Sequence, residues 1–337
     1  MTIRTLIGSC CVAAVLCAAA GVHYAQGESP LAVKGAGGSV EHGGDSVARP
    51  APANATSANK AQGLPEDPGY LVREVVYNEL HDHDTHGYWR YWIERRTSKE
   101  TQLEDAVETP DGPVARVESS GGQPLSADAR SEEERRLKRL INSPTEQAQH
   151  RKEYAEDEHR IGRILALLPD AFLYEPAGEE ARSERAPECP CYHFHFRPNP
   201  SYPAHSIESR IFHAMTGDLW ISADHKRLVR LDGKLQDNVD FGYGILGRLY
   251  KGGWFRLERT HVSAAGGSAN GDWKTERLEV HMIGRAMLFK TIARETSEVR
   301  GGFSPVPPGL TLKQAATLVC EPTDAAVART ASFVTTR

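Results

Sequence analysis

The sequence predicts an α+β fold that is mainly antiparallel β, with a strongly curved sheet or an unclosed β-barrel covered by helices. Segments rich in Val, Ile, Tyr, Trp and Thr recur from Tyr70 to Pro305, and Gly, Pro and Asp separate them. Several segments exceed the usual strand length of about 5–6 residues and follow one another as hairpins, which favours a curved sheet. One charged helical stretch, residues 126–168, interrupts them.

The first 25 residues have the pattern of an export signal. The apolar run "LIGSCCVAAVLCAAAGV" follows Arg4 and is shorter than the roughly 20 residues of a membrane-spanning helix. We therefore expect a signal peptide at 1–25 and a periplasmic or secreted protein, with an uncleaved membrane anchor as the alternative. Outside this signal only Cys189, Cys191 and Cys320 remain, so at most one disulfide bond can form within the chain.

Residues 26–68 contain no aromatic residue, no Ile and no Met. Such a segment buries too little apolar surface to offset the entropy lost on ordering, so it is predicted to be a disordered linker. A single curved-sheet domain, residues 69–309, is expected to follow, with the helical insert at 126–168. The weakly patterned residues 310–337 are expected to form a peripheral tail.

Four strands are predicted before the insert, at 70–80, 87–97, 101–110 and 112–122. Because side chains alternate along a strand, the second of these places Trp89, Tyr91 and Ile93 on one face. Strands resume after Asp170, with one short helix at 206–215, and bring the expected total to about nine to eleven.

Two capping signals predict the helices of the insert. Ser131 to Glu134 forms one capping box, and Ser143 to Glu146, with a proline at the first helical position, forms another. Pro169 is expected to end the second helix at Leu168. Its C-terminal half is predicted to dock through an apolar stripe, and its N-terminal half is predicted to stay solvated. The stripe consists of Ile161, Ile164, Leu165 and Leu168.

The stretch "CPCYHFHF", residues 189–196, places two cysteines and two histidines at alternate positions. Same-side residues of a strand lie about 6.6–6.8 Å apart, so four of them cannot meet at one zinc ion. His193 and His195 could chelate a metal if a neighbouring strand supplied a third ligand, such as His213 or His281. That alternative describes a secreted metal-dependent enzyme. The favoured interpretation is a strand with a histidine face and an aromatic face.

Other chemical motifs are weak. "HDHDTH", residues 81–86, fits a solvated turn between two strands. "FGYGILG" has the glycine spacing of a dinucleotide site at Gly242, Gly244 and Gly247, but strand-like sequence rather than a helix follows it. No nucleophile elbow, zinc-protease motif or phosphate-binding loop occurs, so no catalytic residue and no cofactor is predicted. The net charge of −5 argues against a nucleic-acid partner.

Two hairpins carry a resemblance to a known family. "GDLWISADHKRLVRLDG", from Gly217 to Gly233, resembles a hairpin of the periplasmic lipoprotein carriers, the outer-membrane lipoprotein-sorting proteins. The final hairpin, which closes on "FSPVP" at 303–307, is similar to the end of those chains. The resemblance implies an unclosed β-barrel whose mouth is covered by helices and whose apolar cavity binds acyl chains. Related chains of that fold are envelope-stress regulators that bind lipid or lipoprotein and a membrane partner.

The expected function is therefore an exported, non-catalytic carrier or sensor that binds lipid or an acylated protein. The lipoprotein carriers have an arginine in their cavity. Its counterpart in this chain could be Arg90, Arg210 or Arg230. An alternative is a protein-interaction module that docks through the charged helix at 144–168. Aromatic and apolar strand residues are the candidates for lining a hydrophobic cavity: Trp89, Tyr91, Ile93, Trp220, Phe241, Tyr243, Trp254 and Phe255.

Overall fold

The computed structural model describes residues 65, 67–82, 86–177, 190–241, 247–263, 271–286 and 290–321. The predicted signal peptide and almost all of the predicted linker lie outside these ranges. The helices are α1 (Pro68–Leu80), α2 (Ala127–Asn142), α3 (Pro144–Ala171), α4 (Ile207–His213) and α5 (Leu312–Leu318). The strands are β1 (Tyr88–Thr97), β2 (Thr101–Val107), β3 (Val114–Ser120), β4 (Gln123–Pro124), β5 (Phe172–Pro176), β6 (Cys191–Pro198), β7 (Met215–Ser222), β8 (Leu228–Leu235), β9 (Val239–Phe241), β10 (Gly247–Leu249), β11 (Trp254–Val262), β12 (Asp272–Ala286) and β13 (Lys290–Val306).

These strands form one antiparallel sheet with the order β4-β3-β2-β1-β13-β12-β11-β8-β7-β6-β5, and the short β9–β10 pair extends it beside β12. The end strands β4 and β5 do not pair with each other in the described part of the chain, so the sheet is not closed into a barrel. The predicted α+β class is confirmed. The described residues contain 13 strands, more than expected, because β4, β9 and β10 are only two or three residues long.

Helix α1 corrects the prediction of a strand at 70–80. Asp67 caps the helix, since its Oδ1 accepts a hydrogen bond from the Tyr70 backbone N–H at 3.1 Å, and Pro68 occupies the first turn. The buried side chains recur at the spacing of one helix face, and they are Leu71, Val72, Val75 and Val76. The valine content favoured a strand, but the cap and the periodicity determine the structure.

The two insert helices also differ from their predicted bounds. Helix α2 begins after Ser126, whose Oγ accepts from the Ala129 N–H at 3.2 Å, and not at Ser131. Ser143 caps α3 as predicted, but α3 continues through Pro169 to Ala171. A proline this close to the helix end removes only one backbone donor, which the helix tolerates.

The main core lies between one face of the sheet and the helices α1, α3 and α4, and this face is called the inner face below. Alternate residues of β6, β7, β8 and β11 point into it, and Phe194, Ile221 and Leu257 have no exposed surface. Ile161, Ile164 and Leu165 of α3 are buried in the same core, which confirms the predicted docking stripe. The first half of α3 is mostly exposed, as predicted, and carries ion pairs such as Arg160–Asp157 at 2.9 Å.

A second, smaller core lies at the other end of the sheet. Helix α5 was expected to belong to a peripheral tail, but it packs here on β2, β3 and α2. A capping box between Thr311 and Gln314 starts α5, and the helix then buries Leu312, Ala315 and Ala316. None of the described helices combines the length and the apolar composition that crossing a membrane requires.

Candidate functional site

An apolar space lies between α1, the end of α3 and the inner face of the sheet, and we call it the hollow. The cavity inside it has a volume of about 40 Å³, well below the roughly 150 Å³ of an engineered apolar cavity that binds benzene. Its lining residues are Val72, Val75, Val76, Glu79, Leu165, Leu168, Phe172, Tyr174, Phe196, Phe212, Met215, Leu219, Leu228, Leu231 and Phe255.

A row of four residues across four strands builds the floor of the hollow. Phe196 on β6 pairs with Gly217 on β7, Gly217 pairs with Gly233 on β8, and Gly233 pairs with Phe255 on β11. A Cβ at Gly217 would overlap the Asp232 backbone oxygen and lie 2.7 Å from the Phe196 ring, and one at Gly233 would lie 2.2 Å from the Phe255 ring. The two aromatic rings therefore occupy the space that the two glycines leave free. These glycines bound the quoted hairpin, so its glycines have a packing role.

Helix α1 covers the hollow and contributes its one charged lining residue, Glu79. The Glu79 carboxylate accepts hydrogen bonds from the Arg227 Nε at 3.0 Å and from the Leu228 backbone N–H at 3.1 Å. It also contacts the Arg259 guanidinium, and the side chains of Glu79 and Arg259 are only 3% and 1% exposed. We call Glu79, Arg227 and Arg259 the Glu79 cluster. It joins the end of α1 to β8 and β11.

The charges of the Glu79 cluster outweigh the cost of its burial. Burial alone would raise the pKa of Glu79, but the guanidinium groups of Arg259 and Arg227 hold the pKa below its ordinary value. The carboxylate is therefore ionised at neutral pH. Further contacts at the end of α1 are the Asn78 amide to the Lys226 carbonyl at 3.0 Å and Asp82 to Arg227 at 2.6 Å.

The structure separates the predicted lining residues. Phe255 lines the hollow, and Phe241 packs half-buried against the same core. Trp89, Tyr91 and Ile93 share one face, as predicted, but belong to a separate buried cluster beside β2. Trp220 lies on the outer face, Trp254 is 39% exposed, and Tyr243 lies outside the described residues.

Most of the actual lining is aliphatic and was not identified from the sequence. Aromatic residues were favoured because they bury the most area, but Leu219, Leu228 and Leu231 lie at the inward positions of β7 and β8. Strand alternation could not have identified both Leu228 and Leu231, because they lie three residues apart on β8, and an irregularity in the β7–β8 register brings both to the inner face. The valines of α1 were missed because α1 was predicted as a strand.

None of the three candidate cavity arginines lines the hollow. The single N–H of the Arg90 Nε donates a bifurcated hydrogen bond to both carboxylate oxygens of Asp105, at 3.1 Å each. Arg230 pairs with Asp232 and lies over the Trp220 ring. Arg210 is exposed on α4. The arginines that border the hollow are Arg227 and Arg259.

His193 and His195 project from the outer face of β6, away from the hollow, while Phe194 and Phe196 are buried in the core. This confirms the predicted histidine and aromatic faces. Both imidazoles contact Asp218 on β7, the His193 Nε2 at 3.0 Å. The expected third ligands lie elsewhere, because the His213 Nε2 contacts the Tyr202 carbonyl and His281 stacks on Trp254.

The structure also locates parts of the histidine-rich stretch at 81–86 and of the glycine motif at 242–247. His81 caps the end of α1, and its Nδ1 lies 2.8 Å from the Tyr77 carbonyl oxygen. Gly247 begins strand β10, and β11 follows it without a helix, as predicted. Gly242 and Gly244 lie outside the described residues, as does Cys189.

No family model and no curated protein matches the chain. Among solved structures, the chain is similar to a DUF1329 family protein from Desulfovibrio piger, with 11% sequence identity and a TM-score of 0.26. The likeness covers 71% of this chain and 93% of that one.

Proposed function

We propose that this chain is a non-catalytic protein that binds one long apolar chain, of the fatty-acyl class, in the hollow. One observation supports this most. Every lining residue except Glu79 has an apolar or aromatic side chain, and Arg227 and Arg259 already engage the Glu79 carboxylate. A hollow without unpaired polar groups fits a ligand that needs no hydrogen bonds.

An acyl chain can enter the hollow only if helix α1 moves away from the sheet. The free volume of about 40 Å³ is too small for an acyl chain, and Val72, Val75 and Val76 of α1 occupy the space that such a chain would take. Helix α1 has 13 residues and adjoins the predicted linker on one side. Helix α3 has 28 residues and connects directly to β5, so it is the less mobile cover.

The predicted export signal and the resemblance to lipoprotein carriers extend the proposal. The protein acts in the periplasm or outside the cell as a carrier or sensor, and its ligand is a lipid or the acyl group of a lipidated protein. A membrane-associated partner supplies or receives that ligand. The closed hollow supports a state without ligand, in which α1 substitutes for the acyl chain.

A fluorescent fatty acid tests the proposal. Purified full-length protein is titrated with cis-parinaric acid, and the same titration is done with Glu79→Gln. Saturable binding of one molecule per chain is expected, and Glu79→Gln is expected to bind about tenfold more tightly or better, because weakening the closed state raises the fraction of binding-competent protein.

The matched control is Glu175→Gln, which removes an exposed ion pair to Arg197 on β6 and leaves α1 untouched. Its affinity is expected to equal that of the wild type. Native mass spectrometry of protein purified from its own cells is expected to show a bound lipid. Titrations that never saturate, for the wild type and Glu79→Gln alike, would contradict the proposal.

A further inference from the structure

The outer face of β6 and β7 brings two imidazoles and one carboxylate together. His195 lies directly opposite Asp218 in the strand register, and His193 is two residues away on the same face of β6. One ring nitrogen of His193, one of His195 and one Asp218 oxygen all lie within 4.8 Å of one another. His193 and His195 both approach the same oxygen, Asp218 Oδ1. Two neighbouring strands thus direct three possible metal ligands at one point.

The surrounding packing holds the ligands in place. The His193 ring stacks on Trp220 with ring centres 4.2 Å apart and planes only 10° from parallel. Within the described part of the chain, the His193 Nδ1 is buried and has no hydrogen-bond partner, so Nε2 is the ring atom that faces polar groups. The His193 side chain is 14% exposed, whereas His195 is 60% exposed. The site is therefore anchored on one side and open to solvent on the other.

The two carboxylates next to this cluster, Asp232 and Glu175, are paired with arginines. Asp232 on β8 lies directly opposite Asp218, and it pairs with Arg230 at 2.6 Å and with Arg256 at 3.1 Å. Glu175 lies opposite His195 on β5 and pairs with Arg197 at 2.8 Å. Asp232 and Glu175 therefore have arginine partners of their own. Arg230 also attracts Asp218 electrostatically, but the described contacts of the Asp218 Oδ1 are those to the two imidazoles.

We propose that His193, His195 and Asp218 form a binding site for one divalent transition-metal ion of the zinc class. Two imidazoles and a carboxylate suit such ions, and three protein ligands with an open side leave a position for water or an exogenous ligand. When the ion binds, it takes the place of the two histidine contacts to Asp218 Oδ1. The ion would link β6 to β7 on the face opposite the hollow. This site stands independently of acyl-chain binding.

Zinc binding to full-length protein without an affinity tag tests the proposal. Equilibrium dialysis against ZnCl₂ at pH 7.5, followed by metal quantification, is expected to give one site per chain. His195→Ala and Asp218→Asn are each expected to weaken that site by about tenfold or more, because even indirect partners of metal ligands contribute factors of this size. Both positions are partly exposed, so both variants are expected to keep the fold, which circular dichroism verifies.

His205→Ala is the matched control, since His205 is exposed and lies before α4. It is expected to bind zinc like the wild type. If zinc, cobalt and nickel all fail to bind, the proposal is overturned. It is equally overturned if one ion binds but neither His195→Ala nor Asp218→Asn weakens it, because the ion then lies at other histidines. Loss of fatty-acid binding with zinc binding intact would reject only the function proposed above.

Discussion

Glu79 on α1 and Arg259 on β11 form a buried ion pair that joins the covering helix to the sheet. Arg259 also donates a hydrogen bond from its Nη2 to the Trp273 carbonyl at 2.6 Å, so its position is fixed from the sheet side. Leu71, Val72, Val75 and Val76 contribute only apolar packing. Any movement of α1 away from the hollow therefore has to break this ion pair.

Glu79→Gln is expected to lower the free energy of unfolding by about 3–5 kcal/mol, because it removes the buried carboxylate that Arg259 and Arg227 share. Urea denaturation followed by circular dichroism measures the change. Glu175→Gln, whose ion pair to Arg197 is more than half exposed on both sides, is expected to cost less than about 1 kcal/mol. Equal effects of the two variants would mean that the Glu79 cluster does not hold α1.

The contribution of Glu79 is expected to depend on pH. Because the folded-state pKa of Glu79 is depressed, its stabilisation is complete above the ordinary value of 4.5 and is lost as the pH falls through the folded pKa. The stability difference between wild type and Glu79→Gln should thus be constant from pH 7 to 5.5 and shrink below 4.5. Urea titrations at a series of pH values measure it, and a difference that persists at the lowest pH would refute the linkage.

Two buried glutamates that share Arg95 are expected to respond differently to neutralisation. Burial would raise the pKa of Glu298, but Arg300 and Arg95 together hold it below the ordinary value. Burial raises the pKa of Glu104, and Arg95 alone does not offset this. Glu298→Gln is expected to cost about 3–5 kcal/mol at pH 7, as for other broken buried pairs.

Glu104→Gln is expected to change stability by less than about 1.5 kcal/mol, because the charged form of Glu104 is itself unfavourable in the fold. A glutamine oxygen can keep the hydrogen bond that the Glu104 Oε1 accepts from the Arg95 Nη1 at 2.7 Å, and the Glu104 Oε2 has no hydrogen-bond partner among the described residues. Chemical denaturation of both variants at pH 7 checks the order. A larger loss of stability from Glu104→Gln than from Glu298→Gln would contradict the prediction that Glu298 is the more important partner of Arg95.

The floor of the hollow is expected to be sensitive to one added methyl group. In Gly233→Ala the new Cβ would overlap the Phe255 ring, so the ring must move, at a cost of about 1–3 kcal/mol. Gly162→Ala in α3 is the contrasting variant, since its Cβ would lie 3.5 Å from a Leu80 methyl group. It is expected to gain about 0.5–1 kcal/mol from its higher helix propensity. Thermal unfolding measures the stability of both variants. A loss for Gly233→Ala would indicate a tightly packed floor, and no loss would indicate a loosely packed one.

The strand pattern of the sheet was readable from the sequence, while α1 was not. The period of two in β6 to β8 and the capping box at Ser143 are local signals, and both predicted the structure. At 70–80 the valines favour a strand, and the decisive evidence is the Asp67 cap followed by a proline. The ion pair to Arg259 joins residues 180 positions apart, which sequence spacing cannot show.

The outer-face histidines show the same limit. Their alternation placed His193 and His195 on one face, as the structure confirms. Their contact with Asp218 could not be predicted, because the pairing of β6 with β7 is what places Asp218 opposite His195. Likewise the hollow is lined by leucines at inward positions, and the sequence gives no reason to prefer these over the aromatic residues of β1.

Photo-crosslinking with a diazirine-bearing fatty acid tests the central claim most directly, because it locates the ligand. Full-length protein is labelled, digested and mapped by mass spectrometry, with unlabelled fatty acid as competitor. The account predicts competable adducts on residues that line the hollow, such as Leu219, Leu231 and Phe255, with a higher yield in Glu79→Gln. Adducts confined to the outer face, or labelling that the competitor does not reduce, would contradict binding beneath α1.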